Sequence, residues 1–362
     1  MSENKFSKIF FTLAFVALMI ASCWATVESL HLLLPDWPTP IFWIGSVIFF
    51  VLASVGTKLI VDSFDKHSFI ENRGGRLIGG IIMLFMFWVS FSLPTNTHTF
   101  FYRSVIKEKI MEDLVETKGK LESLIDDGEA GTLIKREQEA FEKQIRSLIS
   151  SFEAEVNNPG NAGWGDRAEA ILIEIEKQLG LGQADRIVRV RMRCNTRQCR
   201  DEFIANVRGS VEQKLKAAVG AKYENRMENI HKALDKNRMR TLNTKMDEEI
   251  SAMIDGRELT DAKVKEISEQ ILAPAYTIIA QYSDVMLRDF KSYEELTKDG
   301  EKDKATYGGA SKTKRLLSVI DVWKDFFAGQ YVGRGFVFWI IIAVLLDIAG
   351  FICYGIAFKR EH

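Results

Sequence analysis

Residues 336–358 read FVFWIIIAVLLDIAGFICYGIAF, and Asp347 is the one charged residue among them. A helix needs about 20 predominantly apolar residues to cross the hydrocarbon core of a bilayer. The stretch therefore predicts a transmembrane helix, and it excludes an ordinary soluble fold for the whole chain.

Three further apolar segments precede this one, at about residues 9–27, 41–61 and 77–93. Each has nearly the length of a membrane-spanning helix. The sequence thus predicts an all-α integral membrane protein with four transmembrane helices. The long segment between the third and fourth helices is expected to form a large helical, partly coiled-coil extracytoplasmic domain.

Basic residues orient the predicted helices. Lys5 precedes the first helix and Lys359 and Arg360 follow the last, whereas residues 28–40 contain no lysine or arginine. Because short cytoplasmic loops carry the excess of basic residues, both termini are predicted to be cytoplasmic and residues 95–334 extracytoplasmic. The short N-terminus and this charge asymmetry favour the bacterial inner (cytoplasmic) membrane.

The composition limits the classes of partner. The chain has 48 basic and 49 acidic residues, so its formal net charge is −1. Nucleic-acid-binding domains usually carry a basic excess, so no nucleic-acid partner is expected. Four cysteines in 362 residues also exclude a disulfide-rich scaffold.

Four regions follow from these patterns. Residues 1–94 form a membrane domain, 95–297 the helical extracytoplasmic domain, 298–334 a flexible linker with an amphipathic juxtamembrane helix, and 335–362 the fourth transmembrane helix with a short tail. The linker assignment rests on residues 298–314, which are rich in Gly, Lys, Asp and Thr.

The extracytoplasmic domain carries helical apolar periodicity. Apolar residues recur every four positions from Phe203 to Val219, and the stripe continues to Met253. This pattern predicts one long helix with a narrow apolar seam for packing against another helix or subunit. Pro274 is expected to kink the last long helix of the domain.

The juxtamembrane stripe has two interpretations. Its apolar residues recur at helical spacing just before the final membrane helix; they are Leu316, Ile320, Trp323 and Phe327. They are candidates to lie on the outer lipid surface. The alternative is that the stripe packs on the extracytoplasmic domain.

The cysteines suggest local chemistry. Cys194 and Cys199 are the only two cysteines in the extracytoplasmic segment, so we predict a disulfide between them. A two-cysteine metal site is the alternative, but it lacks neighbouring ligands. The residues from Ile20 to Cys23 resemble the cleavage site of a lipoprotein signal peptide, so lipidation of Cys23 is an alternative to an unprocessed first helix.

Asp347 is the sharpest single residue, because it lies near the middle of the fourth transmembrane helix. A carboxylate there costs about 2.5–3.5 kcal/mol on insertion scales, so it should face other helices and be hydrogen-bonded. Two roles remain open. Asp347 is either a structural hydrogen-bonding group or part of a proton or cation path.

Two further groups of residues are candidates. The polar cluster of Thr95, Asn96, Thr97 and His98 follows the third membrane helix, where it is expected to cap a helix, bind a lipid head group or, through His98, respond to pH. Small residues at i and i+4 favour close helix packing. These packing residues are Gly75 with Gly79 and Ala349 with Cys353.

No catalytic or cofactor motif is present in the sequence. Glu228 and His231 have the spacing of a di-iron ligand pair, but such a site needs the motif twice. We therefore expect no metal, no cofactor and no enzymatic activity.

Two functions fit these observations. The first is a non-enzymatic polytopic scaffold or sensor, a homo-oligomer or one subunit of a membrane complex, that presents its helical domain to an extracytoplasmic protein, the envelope or a stimulus. The second is a proton- or cation-conducting subunit built around Asp347. In both cases the lipid bilayer is a partner.

Overall fold

The computed structural model describes residues 3–64, 73–187, 196–331 and 335–358. Within these ranges all regular secondary structure is helical, which confirms the predicted all-α class. The α-helices are α1 Glu3–Leu33, α2 Thr39–Phe64, α3 Arg73–Phe87, α4 Leu93–Leu124, α5 Gly128–Val156, α6 Asp166–Gln178, α7 Arg197–Val219, α8 Asn225–Ala233, α9 Lys236–Ile254, α10 Asp261–Glu266, α11 Ala273–Asp289, α12 Glu294–Tyr307, α13 Lys312–Leu316, α14 Val319–Phe327 and α15 Phe336–Ala357.

Four helical segments are long and apolar enough to span a membrane. Three of them are Phe6–Leu33, Thr39–Phe64 and Phe336–Ala357, and the other lies within the helical stretch that starts at Arg73. They correspond to the four apolar segments read from the sequence. The prediction of four membrane-compatible helices is therefore confirmed.

Aromatic rings form the core among these four segments. The Phe50 ring of α2 is nearly inaccessible, and its centroid lies 5.9 Å from Phe15 of α1, 5.8 Å from Phe87 of α3 and 5.6 Å from Phe351 of α15. Offset and edge-to-face ring pairs contribute beyond their buried area. One side chain thus contacts the three other apolar helices.

The chain divides into two compact units. The first takes in residues 1–116, 247–273 and 310–362, and the second takes in residues 117–246 and 274–309. The domain limits expected at residues 95 and 298 stay predictions. Residues 95–116 belong to the first unit because polar side chains of α4 pack on α1, as described below.

Two π-helical turns interrupt the α-helices shortly before a proline. They are Trp88–Ser92, which precedes Pro94, and Ile267–Leu272, which precedes Pro274. Proline has no backbone N–H and cannot complete an i to i−4 hydrogen bond. In the first turn the residue before the proline, Leu93, donates its N–H to the Trp88 carbonyl, five residues back rather than four. The expected irregularity at Pro274 therefore takes the form of a π-turn.

The second unit buries the apolar stripe of α7. Every fourth residue from Phe203 to Val219 is buried, and α7 packs against α5. The Trp164 ring contacts both Phe152 and Phe203, with centroids 6.2 Å and 5.4 Å away, and those two rings also contact each other at 6.1 Å. The predicted apolar seam therefore forms a helix interface inside this chain.

Two expectations for local structure were wrong. The predicted long helix to Met253 is broken after α8, because the Asp235 carboxylate accepts a hydrogen bond from the Arg238 N–H at 3.0 Å and starts α9. Residues 298–307, the first part of the expected linker, belong to α12 instead. Leu296, Gly300 and Tyr307 are buried on one face of α12, so a few spaced residues supply packing that the overall composition did not indicate.

Asp127 organises the turn before α5. Its side chain is 2% exposed, and its carboxylate oxygens lie 2.6 Å from Lys135 Nζ, 2.7 Å from Lys236 Nζ and 3.1 Å from His231 Nε2. Burial alone raises the pKa of this carboxyl, but hydrogen bonds and charge from Lys135 and Lys236 outweigh burial, so its pKa lies below the ordinary value. The folded state therefore favours the ionised form.

We expect Asp127→Asn to lower the free energy of unfolding by about 1–2 kcal/mol at pH 7, since the charge-assisted hydrogen bond from Lys135 and the ion pair with Lys236 are lost. A depressed pKa stabilises the fold above the unfolded-state pKa, and this contribution disappears as the pH falls through the folded-state pKa. The difference between wild type and variant should therefore shrink in acid, below about pH 4. Denaturant unfolding at several pH values measures it.

Asp126→Asn is the matched control for this prediction. Asp126 is the preceding residue of the same turn and is exposed. The Asp127→Asn variant itself adds no backbone strain, because asparagine tolerates the left-handed conformation of residue 127, where φ is 71°. An effect of Asp127→Asn that persisted unchanged to pH 2 would contradict the ionic explanation.

Candidate functional site

Asp347 is buried among hydroxyl groups. Asp347 lies in α15 and is 2% exposed. Ser22 of α1 donates a hydrogen bond to Oδ1 at 2.8 Å, and Ser92 of the π-helical turn donates to Oδ2. No cationic side chain pairs with Asp347 in the part of the chain that the structure describes. The partners of its carboxyl group are therefore neutral hydroxyls rather than a counter-ion.

Asn96 closes this arrangement into a ring. Its Nδ2 donates to the Oγ of Ser22 and to the Oγ of Ser92, both at 2.9 Å, and its Oδ1 accepts from Thr26 at 3.0 Å. The amide thus uses both hydrogens on the two serines that bind Asp347. We call the ring of Asp347, Ser22, Ser92 and Asn96 the carboxylate ring. It joins α15, α1, the π-helical turn and α4.

The π-helical turn determines which face of the helix Ser92 occupies. A π-turn adds one residue to the helical repeat and rotates everything that follows it. Ser92 is the last residue of this turn, and Asn96 lies four residues later on the same helix face; both are fully buried. Single π-turns occur frequently at functional sites. Here the π-turn supplies Ser92, one member of the carboxylate ring.

A second set of hydrogen bonds continues along α1 and α4. Thr95 Oγ1 lies 3.1 Å from Thr26 Oγ1 and donates to the Phe91 carbonyl at 2.6 Å, and Thr99 donates to the Ala25 carbonyl at 2.5 Å. Hydroxyl groups that can donate to a carbonyl in their own or a neighbouring helix avoid the cost of an unpaired group in an apolar medium. α1 and α4 are therefore joined by successive polar layers.

His98 forms the layer beyond these threonines. Its Nδ1 lies 2.8 Å from Ser29 Oγ, and its Nε2 lies 2.9 Å from the Leu316 carbonyl. Because a carbonyl only accepts, Nε2 carries a hydrogen and donates it. His98 thus connects α1 and α4 to the last residue of α13.

An ionic group follows at the end of α1. Arg103 pairs with Glu28 and, at 2.7 Å, with Asp261 Oδ2, and Tyr102 donates to Asp261 Oδ1 at 2.8 Å. The polar contacts between α1 and α4 therefore change from neutral to charged along the helices.

The structure brings together two predictions that the sequence treated separately. Asp347 and the cluster of Thr95, Asn96, Thr97 and His98 belong to one buried face, although the cluster was expected at a solvated helix end. All four cluster residues are at most 5% exposed. The Thr97 hydroxyl is buried without a hydrogen-bond partner among the described residues.

The other partners of Asp347 were not recognised as site residues. Ser22, Thr26 and Ser29 follow each other at steps of four and three residues, and Ser92 and Asn96 are four apart. Such spacing places polar residues on one helix face. A stripe of polar residues on one face of an otherwise apolar helix is therefore the sequence pattern that indicates these site residues.

The juxtamembrane stripe is partly packed. Leu316 is buried, and Trp323 donates from Nε1 to the Pro94 carbonyl at 3.2 Å. Ile320 and Phe327 are 54% and 78% exposed. Of the four residues of the stripe, Ile320 and Phe327 are therefore the two that are exposed enough to meet a lipid surface.

The predicted packing pairs occupy different environments. A Cβ added at Gly79 would meet no atom within 4 Å, whereas one at neighbouring Gly80 would meet α2. Cys353 packs against the aromatic core, and Ala349 is partly exposed. The pairs Gly75 with Gly79 and Ala349 with Cys353 stay predictions for contact with another helix or chain.

The cysteine and metal predictions have separate outcomes. Cys194 lies outside the described residues, so the disulfide with Cys199 stays a prediction. Cys23 is a free, buried thiol in the aromatic core.

His231 contacts Asp127, and Glu228 pairs with Lys232 at 2.8 Å. Among the described residues no group of three or more His, Cys, Asp or Glu is arranged to hold a metal ion.

Comparison of the chain with protein-family models, curated proteins and solved structures found no match. The residues of the site therefore carry the functional argument on their own.

Proposed function

We propose that this chain is a non-enzymatic polytopic membrane scaffold or sensor that presents its helical extracytoplasmic segment to a protein, envelope or stimulus partner. In this proposal both termini are cytoplasmic, residues 95–334 are extracytoplasmic, and the membrane is a bacterial inner membrane. The chain acts as a homo-oligomer or with a membrane partner subunit.

The carboxylate ring is the observation that supports this proposal. Both oxygens of Asp347 accept hydrogen bonds from serines, and Asn96 holds both serines in place. A fully satisfied buried polar network fixes the relative rotation of the helices that contribute to it. Asp347 is then a structural acceptor that aligns α15 with α1 and α4.

A second candidate function is proton or cation conduction through Asp347. It is favoured by the direct contact of the carboxylate with two hydroxyl groups, because a hydroxyl can accept and donate a proton. The amide of Asn96 weakens this candidate. It links the serines to Thr26, but it cannot pass a proton along without changing its bonding.

Flux measurements on proteoliposomes separate the two functions. With wild type and Asp347→Asn side by side, we expect no proton or cation flux above empty liposomes from either protein. The variant should lose about 0.5–2 kcal/mol of stability, since an amide can replace only one of the two acceptor oxygens. Thermal unfolding and oligomeric state are measured on the same preparations.

The conducting function makes the opposite prediction. Wild type would then carry flux, and Asp347→Asn would abolish it while leaving unfolding and oligomeric state nearly unchanged. Ser46→Ala is a matched control, because Ser46 is also a buried serine in an apolar helix but lies outside the carboxylate ring. Flux lost in Asp347→Asn and retained in Ser46→Ala would overturn the scaffold proposal.

A further inference from the structure

A cavity of about 450 Å³ opens beside the end of α1. It lies within the first unit, and α10, α13, α14 and the π-helical turn Ile267–Leu272 supply its other walls. Pockets of about 300–1,000 Å³ hold small molecules or head groups. The cavity shares no residue with the carboxylate ring.

The position of the cavity favours a lipid. Leu32 and Leu33 line it and are the last residues of the membrane-compatible segment Phe6–Leu33, and Leu317 adds a third apolar side chain. A phospholipid places its phosphate where a spanning helix ends. A head group can therefore enter the cavity while its acyl chains stay on the apolar surface of the helix.

Two lysines bring positive charge to the cavity. Lys265 and Lys314 both line it, and neither ammonium forms an ion pair in the described part of the chain. Asp261 also lines the cavity, but its carboxylate is already held by Tyr102 and Arg103. The lysines are therefore available to a phosphate, a group that lysine side chains commonly bind.

Negative charge completes the lining. Glu269 and Asp321 line the same cavity, and Asp321 also pairs with the exposed Lys324 at 3.7 Å. The lining thus offers partners for a phosphate and for an ammonium group together.

We propose that this cavity binds the head group of a zwitterionic aminophospholipid, with Lys265 and Lys314 at its phosphate and Glu269 and Asp321 at its ammonium. Ile320 and Phe327 are exposed apolar residues of α14, the helix that also carries Asp321, and would rest on the same lipid surface. The inference requires a membrane location but neither of the functions proposed above.

Native mass spectrometry of the purified, delipidated full chain in detergent tests the proposal. The probes are phosphatidylethanolamine, phosphatidylglycerol, which lacks the ammonium, and soluble phosphoethanolamine. We expect phosphatidylethanolamine to bind most tightly. Lys265→Gln combined with Lys314→Gln should weaken its binding about tenfold or more, because two charge-assisted contacts are lost. Lys298→Gln, at an exposed lysine outside the cavity, should leave binding unchanged.

Two further variants separate charge from shape. Glu269→Gln should weaken phosphatidylethanolamine but not phosphatidylglycerol. Ala262→Trp should fill the cavity and reduce binding of both lipids, and Ala262 is exposed enough to accept the ring without refolding. Equal binding of the two lipids to wild type would overturn the ammonium assignment. Equal binding of soluble phosphoethanolamine would overturn the lipid source, and unchanged binding in the lysine and Ala262→Trp variants would overturn the site.

Discussion

Gly80→Ala is expected to lower the free energy of unfolding of the membrane helices by about 1–3 kcal/mol, the usual cost of overpacking a close contact. A Cβ at residue 80 would lie 2.5 Å from the Gly56 carbonyl oxygen and 2.7 Å from Ile60 Cγ1. The isoleucine can move, but the carbonyl oxygen belongs to the backbone of α2. The two helices must therefore separate to admit the methyl group.

Gly79→Ala is the control for this prediction. It changes the neighbouring residue of α3 in the same way, but its Cβ would meet nothing within 4 Å. Alanine has the higher helix propensity, so the variant should be as stable as wild type or slightly more stable. Thermal unfolding of both proteins in detergent measures the difference. Equal destabilisation by the two substitutions would show that the α2 to α3 contact is not the cause.

A change of oligomeric state in Gly79→Ala alone would have a different meaning. The sequence predicts that Gly75 and Gly79 pack against a helix, but among the described residues a Cβ at position 79 would meet no atom within 4 Å. A contact with a second copy of the chain would then be the remaining explanation for the pair. Size measurement in the same detergent separates this outcome from a loss of fold.

The number and position of the apolar helices could be predicted from the sequence because they depend on composition alone. A stretch such as residues 336–358 has only one energetically acceptable structure in a bilayer. The rotation of each helix about its axis is a different matter. Successive residues of a helix point about 100° apart, so choosing between Gly79 and Gly80 requires the position of a neighbouring helix. A helix that is apolar on all sides gives no such information.

The same reason explains what was found and missed around Asp347. The cost of a charge in an apolar helix marks Asp347 in the sequence. Its partners Ser22 and Ser92 are common residues that carry no such cost, and they lie 325 and 255 positions away along the chain. Ser92 itself lies in the π-turn before Pro94, which adds a residue to the helical repeat. Local patterns indicate that a proline disturbs a helix, but not which form the disturbance takes.

A second large effect is expected from Gly128→Ala, which should lower the free energy of unfolding of the second unit by about 2–4 kcal/mol. Gly128 has a φ of +65°, where alanine is strained by about 1–2 kcal/mol. Its new Cβ would also lie 2.8 Å from Tyr282 Cζ and would collide with the Tyr282 hydroxyl. That hydroxyl accepts a hydrogen bond from the Ala130 N–H at 3.2 Å, so the ring is not free to move away.

Gly180→Ala separates backbone strain from the collision with Tyr282. Gly180 has nearly the same φ, +69°, but a Cβ there would meet no atom within 4 Å. Its substitution should therefore cost only the strain, about 1–2 kcal/mol. Adding Tyr282→Phe to Gly128→Ala should recover about 1 kcal/mol relative to the sum of the single changes, because the hydroxyl in the closest contact is gone. Hydrogen exchange of the α5 amides measures the stability of Gly128→Ala, Gly180→Ala, Tyr282→Phe and the double variant. Equal losses of stability in Gly128→Ala and Gly180→Ala would mean that Tyr282 moves aside without cost.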